Sequence, residues 1–164
     1  MKIMREAAGK DMEAIYMMGY DVWGDNMPAN EYISMCQNSG KYKQGQWHVL
    51  EETDTKKLVS SLIVYELNPS ENLIVRGIGS IATPISERKK GYASLLIQKV
   101  INDLEQRMNC TDFFLYSDIG AELYEKLNFK KLPSMKQKYK DSICMYYSKE
   151  KDMESISFEI PNYF

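Results

Sequence analysis

The chain has 164 residues, 44% of them hydrophobic and 27% charged, the profile of a globular protein with enough length to bury one core. Its formal net charge of −2 argues against nucleic-acid binding through bulk positive charge, and no apolar run approaches membrane-spanning length. Three cysteines, none in a C-x-x-C pair, read as reduced thiols, and a single histidine removes most metal sites, so no metal is expected.

Met1–Glu6 lacks the apolar core of a secretion signal, so a cytoplasmic protein is expected, and Lys2–Arg5 reads as a first strand. After Gly9, the positions Met12, Ile15, Tyr16, Gly19, Val22 and Trp23 form a helical stripe that closes near Gly24. A second helix begins at Asn26-Met27-Pro28, with Tyr32, Ile33 and Cys36 on its apolar side. Trp47 to Glu52 and Lys57 to Leu67 are strands around the polar turn Thr53–Lys56; His48, inside the first, reads as a packed or surface residue. Asn68–Asn72 turns the chain into a central strand, Leu73–Ala82, which completes an antiparallel meander.

Gly77-Ile78-Gly79-Ser80-Ile81-Ala82 matches the dinucleotide pattern G-x-G-x-x-G/A, but Thr83-Pro84 follows where a helix should open. The two glycines therefore mark a bulge or a close approach by a ligand. Beyond the basic turn Ser86–Gly91, the residues Ala93, Ile97, Val100, Ile101, Leu104 and Met108 form one apolar stripe, a helix to about Met108. Asp112–Tyr116 returns parallel to the central strand. A helix carrying Tyr124 follows, then strands over Phe129–Met135 and Ser142–Ser148 around the basic turn Lys136–Asp141. The tail Ile156–Ile160 alternates, which suits an edge strand or a dimer contact, so a homodimer stays open. There is no repeat or linker, and residues 1–164 read as one domain.

A helix that opens just after a glycine-containing turn presents unpaired N–H groups and the positive end of its dipole, and Arg88, Lys89 and Lys90 stand beside them. The expected ligand carries phosphates. Arg88-Lys89-Lys90-Gly91-Tyr92-Ala93 fits Arg/Gln-x-x-Gly-x-Gly/Ala, and through it the chain resembles the GNAT superfamily of acyl-CoA N-acetyltransferases. The resemblance extends upstream to Ser80–Pro84, downstream through Ser94-Leu95-Leu96, and to a second block, Phe113–Phe129, in which Asn128 stands where the family has glycine.

That resemblance implies an α+β fold with a mixed, mostly antiparallel central sheet, helices on both faces and a splayed parallel strand pair. It implies acetyl-CoA as cosubstrate, its arm paired with main-chain groups around Ile81, Ala82 and Thr83, and its pyrophosphate held at Arg88, Lys89, Lys90, Gly91, Tyr92, Ala93 and Ser94. It further implies transfer of the acetyl group by direct attack of a primary amine on a small molecule or peptide, with Tyr124 protonating the departing thiolate. The central strand contains no Asp or Glu to act as base, and Asp118 is the candidate, although Ser117 or Asp118 also suits the N-cap of the Tyr124 helix. Trp23, Asp25, Glu31 and Tyr32 are candidates to shape an acceptor pocket, against ordinary core and surface roles. The alternatives are a noncatalytic acyl-CoA-binding or interaction module on the same scaffold and, third, a nucleic-acid binder using the lysines from 126 to 140.

Overall fold

The β-branched and aromatic runs become seven strands of one sheet: β1 (Lys2–Glu6), β2 (Gln46–Glu52), β3 (Leu58–Glu66), β4 (Val75–Ala82), β5 (Asp112–Ser117), β6 (Lys130–Lys131) and β7 (Ile143–Ser148). The computed structural model describes residues 1–164 and orders the strands β1-β2-β3-β4-β5-β7-β6. β1–β2, β2–β3, β5–β7 and β6–β7 are antiparallel, and β4 and β5 run parallel from Val75↔Asp112 to Ile78↔Leu115. This is the mixed, mostly antiparallel α+β sheet that the resemblance implies. The chain forms two compact units, Met1–Val64 with Ser80–Val100, and Tyr65–Gly79 with Ile101–Phe164.

In the first unit, α1 (Met12–Met18) buries Ile15 and Met18, and α3 (Ala29–Gln37) buries Tyr32 and Cys36, four residues apart on one face. Pro28 caps α3 at φ −53° and ψ 141°, and its fixed φ suits the entry to a helix. Between them lies a separate short helix, α2 (Tyr20–Trp23). The Trp23 ring lies so close over Gly19 that a Cβ there would meet it at 2.1 Å, so any larger residue would push the ring aside. A further helix, α4 (Gly40–Gln44), escapes a periodicity reading because Lys41-Tyr42-Lys43 is polar on both sides of one ring; the Ser39 hydroxyl starts it by accepting the Tyr42 N–H at 3.2 Å. His48 is buried in β2, the packed histidine of the two readings.

The long helix α5 (Tyr92–Met108) buries Leu96, Ile97 and Val100 in the first unit and Ile101 and Leu104 in the second. Each such side chain contributes about 1.5–3 kcal/mol relative to exposure. In the second unit Phe113, Phe114 and Leu115 of β5 are fully buried, as are Cys144 and Met145 of β7.

The segment expected as a strand over Phe129–Met135 pairs only at Lys130 and Lys131. Pro133 has no N–H to continue a ladder and caps a 3₁₀ turn, Ser134–Lys136. The Gln137 amide takes over: its Nε2 donates to the carbonyls of Leu132 and Cys144, and its Oε1 accepts the Cys144 N–H at 2.8 Å. The tail is likewise no edge strand. After a 3₁₀ turn at Met153–Ser155 its alternating Ile156, Phe158 and Ile160 pack, with Phe164, on the core cluster of Val75, Phe114, Leu132, Cys144 and Tyr146.

Candidate active site

The basic turn belongs to the first unit. Leaving β4, the chain passes Pro84 into a 3₁₀ turn, Ile85–Glu87, and Arg88 is extended at φ −68° and ψ 158°. Lys89 and Gly91 then both take left-handed φ, 64° and 79°. Left-handed residues at alternate positions of a turn can gather successive N–H groups into a concavity of the kind that binds anions. The first bond of the ladder runs from the Leu95 N–H to the Gly91 carbonyl at 3.0 Å, so the amides of Tyr92, Ala93 and Ser94 lie ahead of it. No atom lies within 4 Å of the position a Cβ would take on Gly91, so the backbone there faces open space. These groups fit a diphosphate.

The three cations of the turn differ in what they do. Arg88 Nε donates to the Thr83 carbonyl at 2.9 Å, and its two terminal nitrogens grip Asp21 of α2 at 2.7 and 2.8 Å. Lys90 donates to buried Glu87 at 2.9 Å, and Lys57 donates to the other oxygen of the same carboxylate. These two lysines pull the Glu87 pKa down to about 2, with Lys57 the larger cause. Lys89 alone is exposed without a carboxylate partner. Tyr92 is half-buried with the Lys2 ammonium over its ring, 4.9 Å from the centroid.

Upstream, Ser80 takes φ 44° within β4, two residues past the end of the parallel register with β5. This is the irregularity that the glycines announced, displaced by one residue. The Gly77 reading resolves differently: a Cβ there would meet the Phe164 ring at 2.6 Å, so the close approach is by the chain's own tail. At Ala82 the carbonyl accepts the Ser60 hydroxyl at 3.0 Å, and Thr83 Oγ1 lies 3.1 Å from Ser60 Oγ, while Ile81 and Thr83 stay partly exposed.

Asp118 and Tyr124 lie in the second unit. The helix carrying the tyrosine, α6 (Glu122–Glu125), is capped by Ala121 with no side-chain bond, so neither Ser117 nor Asp118 is its N-cap. The Ser117 hydroxyl instead closes a turn onto the Gly120 carbonyl, where Gly120 takes φ 95°, and helix entry shifts past it. Asp118 is exposed and accepts the Tyr163 hydroxyl at 3.0 Å. Tyr124 is buried; burial and, second, the Asp118 charge push its pKa up to about 12. Asn128 ends the helix at φ 68°, with its N–H on Glu125 and the Phe129 N–H on Tyr124, the paired bonds of a left-handed cap that glycine usually makes.

The first unit also holds residues that the sequence did not single out. Tyr16, Tyr42 and Trp47 join Trp23 and Tyr32 around a small chamber whose wall includes Ser80 and Ala82. Asp25 and Glu31, proposed from sequence beside Trp23 and Tyr32, are exposed and do not line it. A larger open groove of about 590 Å³ runs along the tail in the second unit, between Pro69–Leu73 and residues 157–162, and contains none of the candidate residues. No group of three or more His, Cys, Asp or Glu side chains is placed to hold a metal, and no helix is long and apolar enough to cross a membrane.

Neither a protein-family model nor a curated protein sequence matches the chain. Solved structures do. NAA60 of Arabidopsis thaliana in complex with acetyl-CoA superposes with a TM-score of 0.66 at 14% identity, over 92% of this chain and 100% of that one. The ribosomal-protein-S18-alanine N-acetyltransferase of Escherichia coli gives 0.65 at 17% identity, over 96% and 100%. Spermidine N-acetyltransferase of Vibrio cholerae gives 0.66 at 16% identity, over 90% and 93%. At these identities the likeness is one of architecture, and the architecture is that of the GNAT N-acetyltransferases.

Proposed function

We propose that residues 1–164 act as one transferase domain that moves an acetyl group from acetyl-CoA to a primary amine of a small molecule or peptide. The observation that carries this reading is the turn at Lys89 and Gly91, left-handed at both residues and open to free space at Gly91, at the head of α5. Acetyl-CoA supplies the activated acyl group: the amine nitrogen bonds to the thioester carbonyl carbon, the C–S bond breaks, and of the two protons the ammonium gives up, one ends on the sulfur and one in solvent.

The chain's own groups divide the remaining work. The amides from Lys89 to Ser94 and the exposed Lys89 ammonium bind the diphosphate. Main-chain groups of Ile81, Ala82 and Thr83 orient the donor's arm as an added strand, and an N–H there polarises the carbonyl. Arg88 fixes the turn through Thr83 and Asp21 and adds positive charge beside it. Tyr124 remains protonated at neutral pH, the state a proton donor to the sulfur needs. An amine with a pKa near 10.4 must lose its proton first, a cost of about 4 to 5 kcal/mol at pH 7. Asp118 is the candidate to accept that proton.

Thiol release from acetyl-CoA across a panel of amines, paired with calorimetry of CoA binding, tests the reading. Saturable turnover with at least one amine is expected. Tight CoA binding with no turnover on any amine would assign the chain to a noncatalytic acyl-CoA-binding role instead.

A further inference from the structure

We infer that the acceptor is a primary amine carried on an aromatic or other apolar arm, without a second positive charge, and that it binds in the aromatic chamber of the first unit. The inference rests on the acetyl-transfer reading above.

The chamber has the form of a box. The rings of Tyr16 and Tyr42 lie parallel, 9° apart in plane with centroids 6.1 Å apart, and Trp47 stands edge-on to both, at 78° and 76°. Ile15 and Tyr32 are further lining residues, and Trp23, seated on Gly19, is the exposed one at 43%. Parallel rings with a perpendicular third offer faces and edges to a flat or alkyl group. As it stands the cavity measures about 10 Å³, room for one water. The wall able to yield is Trp23, on a four-residue helix bounded by Gly19 and Gly24 and followed by two left-handed residues, Asp25 at 47° and Asn26 at 58°.

One edge of the chamber carries a pair of hydroxyls. Ser80 Oγ lies 3.5 Å from the Tyr42 hydroxyl, and Ser80 and Ala82, which line the chamber, flank Ile81 in the strand segment assigned to the acetyl donor. An amine nitrogen placed at these hydroxyls has its arm directed to the aromatic walls, the usual division of a pocket into an apolar body and a few polar anchors.

Charge decides the class. No Asp, Glu, Lys or Arg lines the chamber, and Asp21, the acid nearest Trp23 on α2, is held by Arg88. A polyamine would carry ammonium groups into a site with no carboxylate to meet them, a heavy desolvation cost. A single amine that sheds its proton escapes that cost, and the same desolvation favours its uncharged, nucleophilic form. The aromatic walls thereby lighten the load on any base, in a chain whose β4 has no acid.

The two tryptophans of the chain, Trp23 and Trp47, both line the chamber, so intrinsic fluorescence reports its occupancy without turnover. The intact chain, with CoA present, is titrated with 2-phenylethylamine, with a short peptide beginning in Phe, and with spermidine. A saturable response to 2-phenylethylamine or to the peptide is expected, at about tenfold or more lower concentration than spermidine requires; which of the two responds assigns the source. Trp23→Ala should weaken that response about fivefold or more, read from Trp47, while Trp23→Phe retains it. Spermidine saturating the signal at equal or lower concentration, or silence toward both apolar amines, overturns the inference. Thiol release in the same mixtures separates the two readings. Turnover of spermidine alone keeps acetyl transfer and sinks the apolar acceptor, whereas saturable apolar binding without turnover sinks the transfer and keeps the chamber's ligand class.

Discussion

Arg88 and Asp21, 67 positions apart in sequence, meet through two parallel hydrogen bonds, so the turn assigned to the diphosphate is fastened to the short helix that carries Trp23. Each side chain is about one-third exposed, 36% and 32%, and a pair at that exposure contributes at most about 1 kcal/mol to stability. Asp21→Asn should therefore lower the urea midpoint only slightly. Arg88→Ala loses the same pair, the Thr83 carbonyl bond and a positive charge, and should raise the KM for acetyl-CoA about five- to tenfold. A double-mutant cycle read in that KM separates the roles. If Arg88 serves only to hold Asp21, the double variant behaves as either single one.

Gly91 and Lys89 share a left-handed backbone but differ in what a substitution does. Gly91→Ala meets no atom, so its cost is conformational, about 1–2 kcal/mol, and its methyl enters the space left for the ligand. Lys89→Gly relieves strain at φ 64° and should stabilise the fold by up to about 1 kcal/mol while weakening acetyl-CoA binding a few-fold. Opposite signs in the urea midpoint with the same sign in KM are the expected outcome. Unchanged KM in both variants would remove the turn from the site.

Much of this layout was legible because it is local in sequence. The stripe of α5 and the turn before it need only spacing and residue type, and Asn128 suits its helix cap because asparagine tolerates left-handed φ almost as glycine does. The chamber was half legible. Trp23 and Tyr32 sit on patterned helices, but Tyr42 lies in a polar helix and Trp47 in a strand, and only the tertiary fold brings those rings together. The N-cap alternative for Ser117 or Asp118 fails because Ser117 and Gly120 insert a turn of their own ahead of α6, which no periodicity records. The tail alternates like a strand, yet its apolar residues are spent on the core cluster instead of on a sheet edge.

Tyr124 is tested by removing one oxygen. Tyr124→Phe keeps the ring against Phe129, at 6.4 Å between centroids, so stability should change little. Loss of a proton donor to the sulfur should lower kcat about 10²- to 10⁴-fold with little change in the KM for acetyl-CoA. Because the phenol pKa is pushed up to about 12, the wild-type rate should show no basic limb from this group below pH 10. A wild-type kcat in the Phe variant would leave Tyr124 a core residue.

Glu87 gives a prediction on the acid side. Its folded pKa, near 2, lies below the usual carboxylate range, so its contribution is fully present above about pH 4.3 and is lost as pH falls toward 2. Glu87→Gln should lower the urea midpoint at pH 7, and the gap between variant and wild type should close between pH 4.3 and 2. A gap independent of pH over that window would mean that Lys57 and Lys90 do not stabilise the carboxylate. The variant should also free Lys90, and with it a second cation beside the diphosphate turn, so the KM for acetyl-CoA should hold or fall.

The tail's hold on the second unit is tested at Gly77. A Cβ there would lie 2.6 Å from the Phe164 ring and 3.0 Å from Leu67 Cδ1, and the ring is further pinned by Tyr65 at 5.8 Å and Tyr116 at 5.7 Å between centroids. Gly77→Ala should therefore cost about 1–3 kcal/mol through overpacking. Phe164→Ala removes the obstacle, so the same Gly77→Ala change made in that background should cost less than half as much, a positive coupling in a double-mutant cycle read by urea denaturation. Additive costs would show that Phe164 does not rest on Gly77 in solution. Tyr163, the neighbour that donates to Asp118, ties this packing to the candidate base. Phe164→Ala should consequently also lower kcat modestly, and Tyr163→Phe, which loses only the hydroxyl, should lower kcat while leaving the urea midpoint in place.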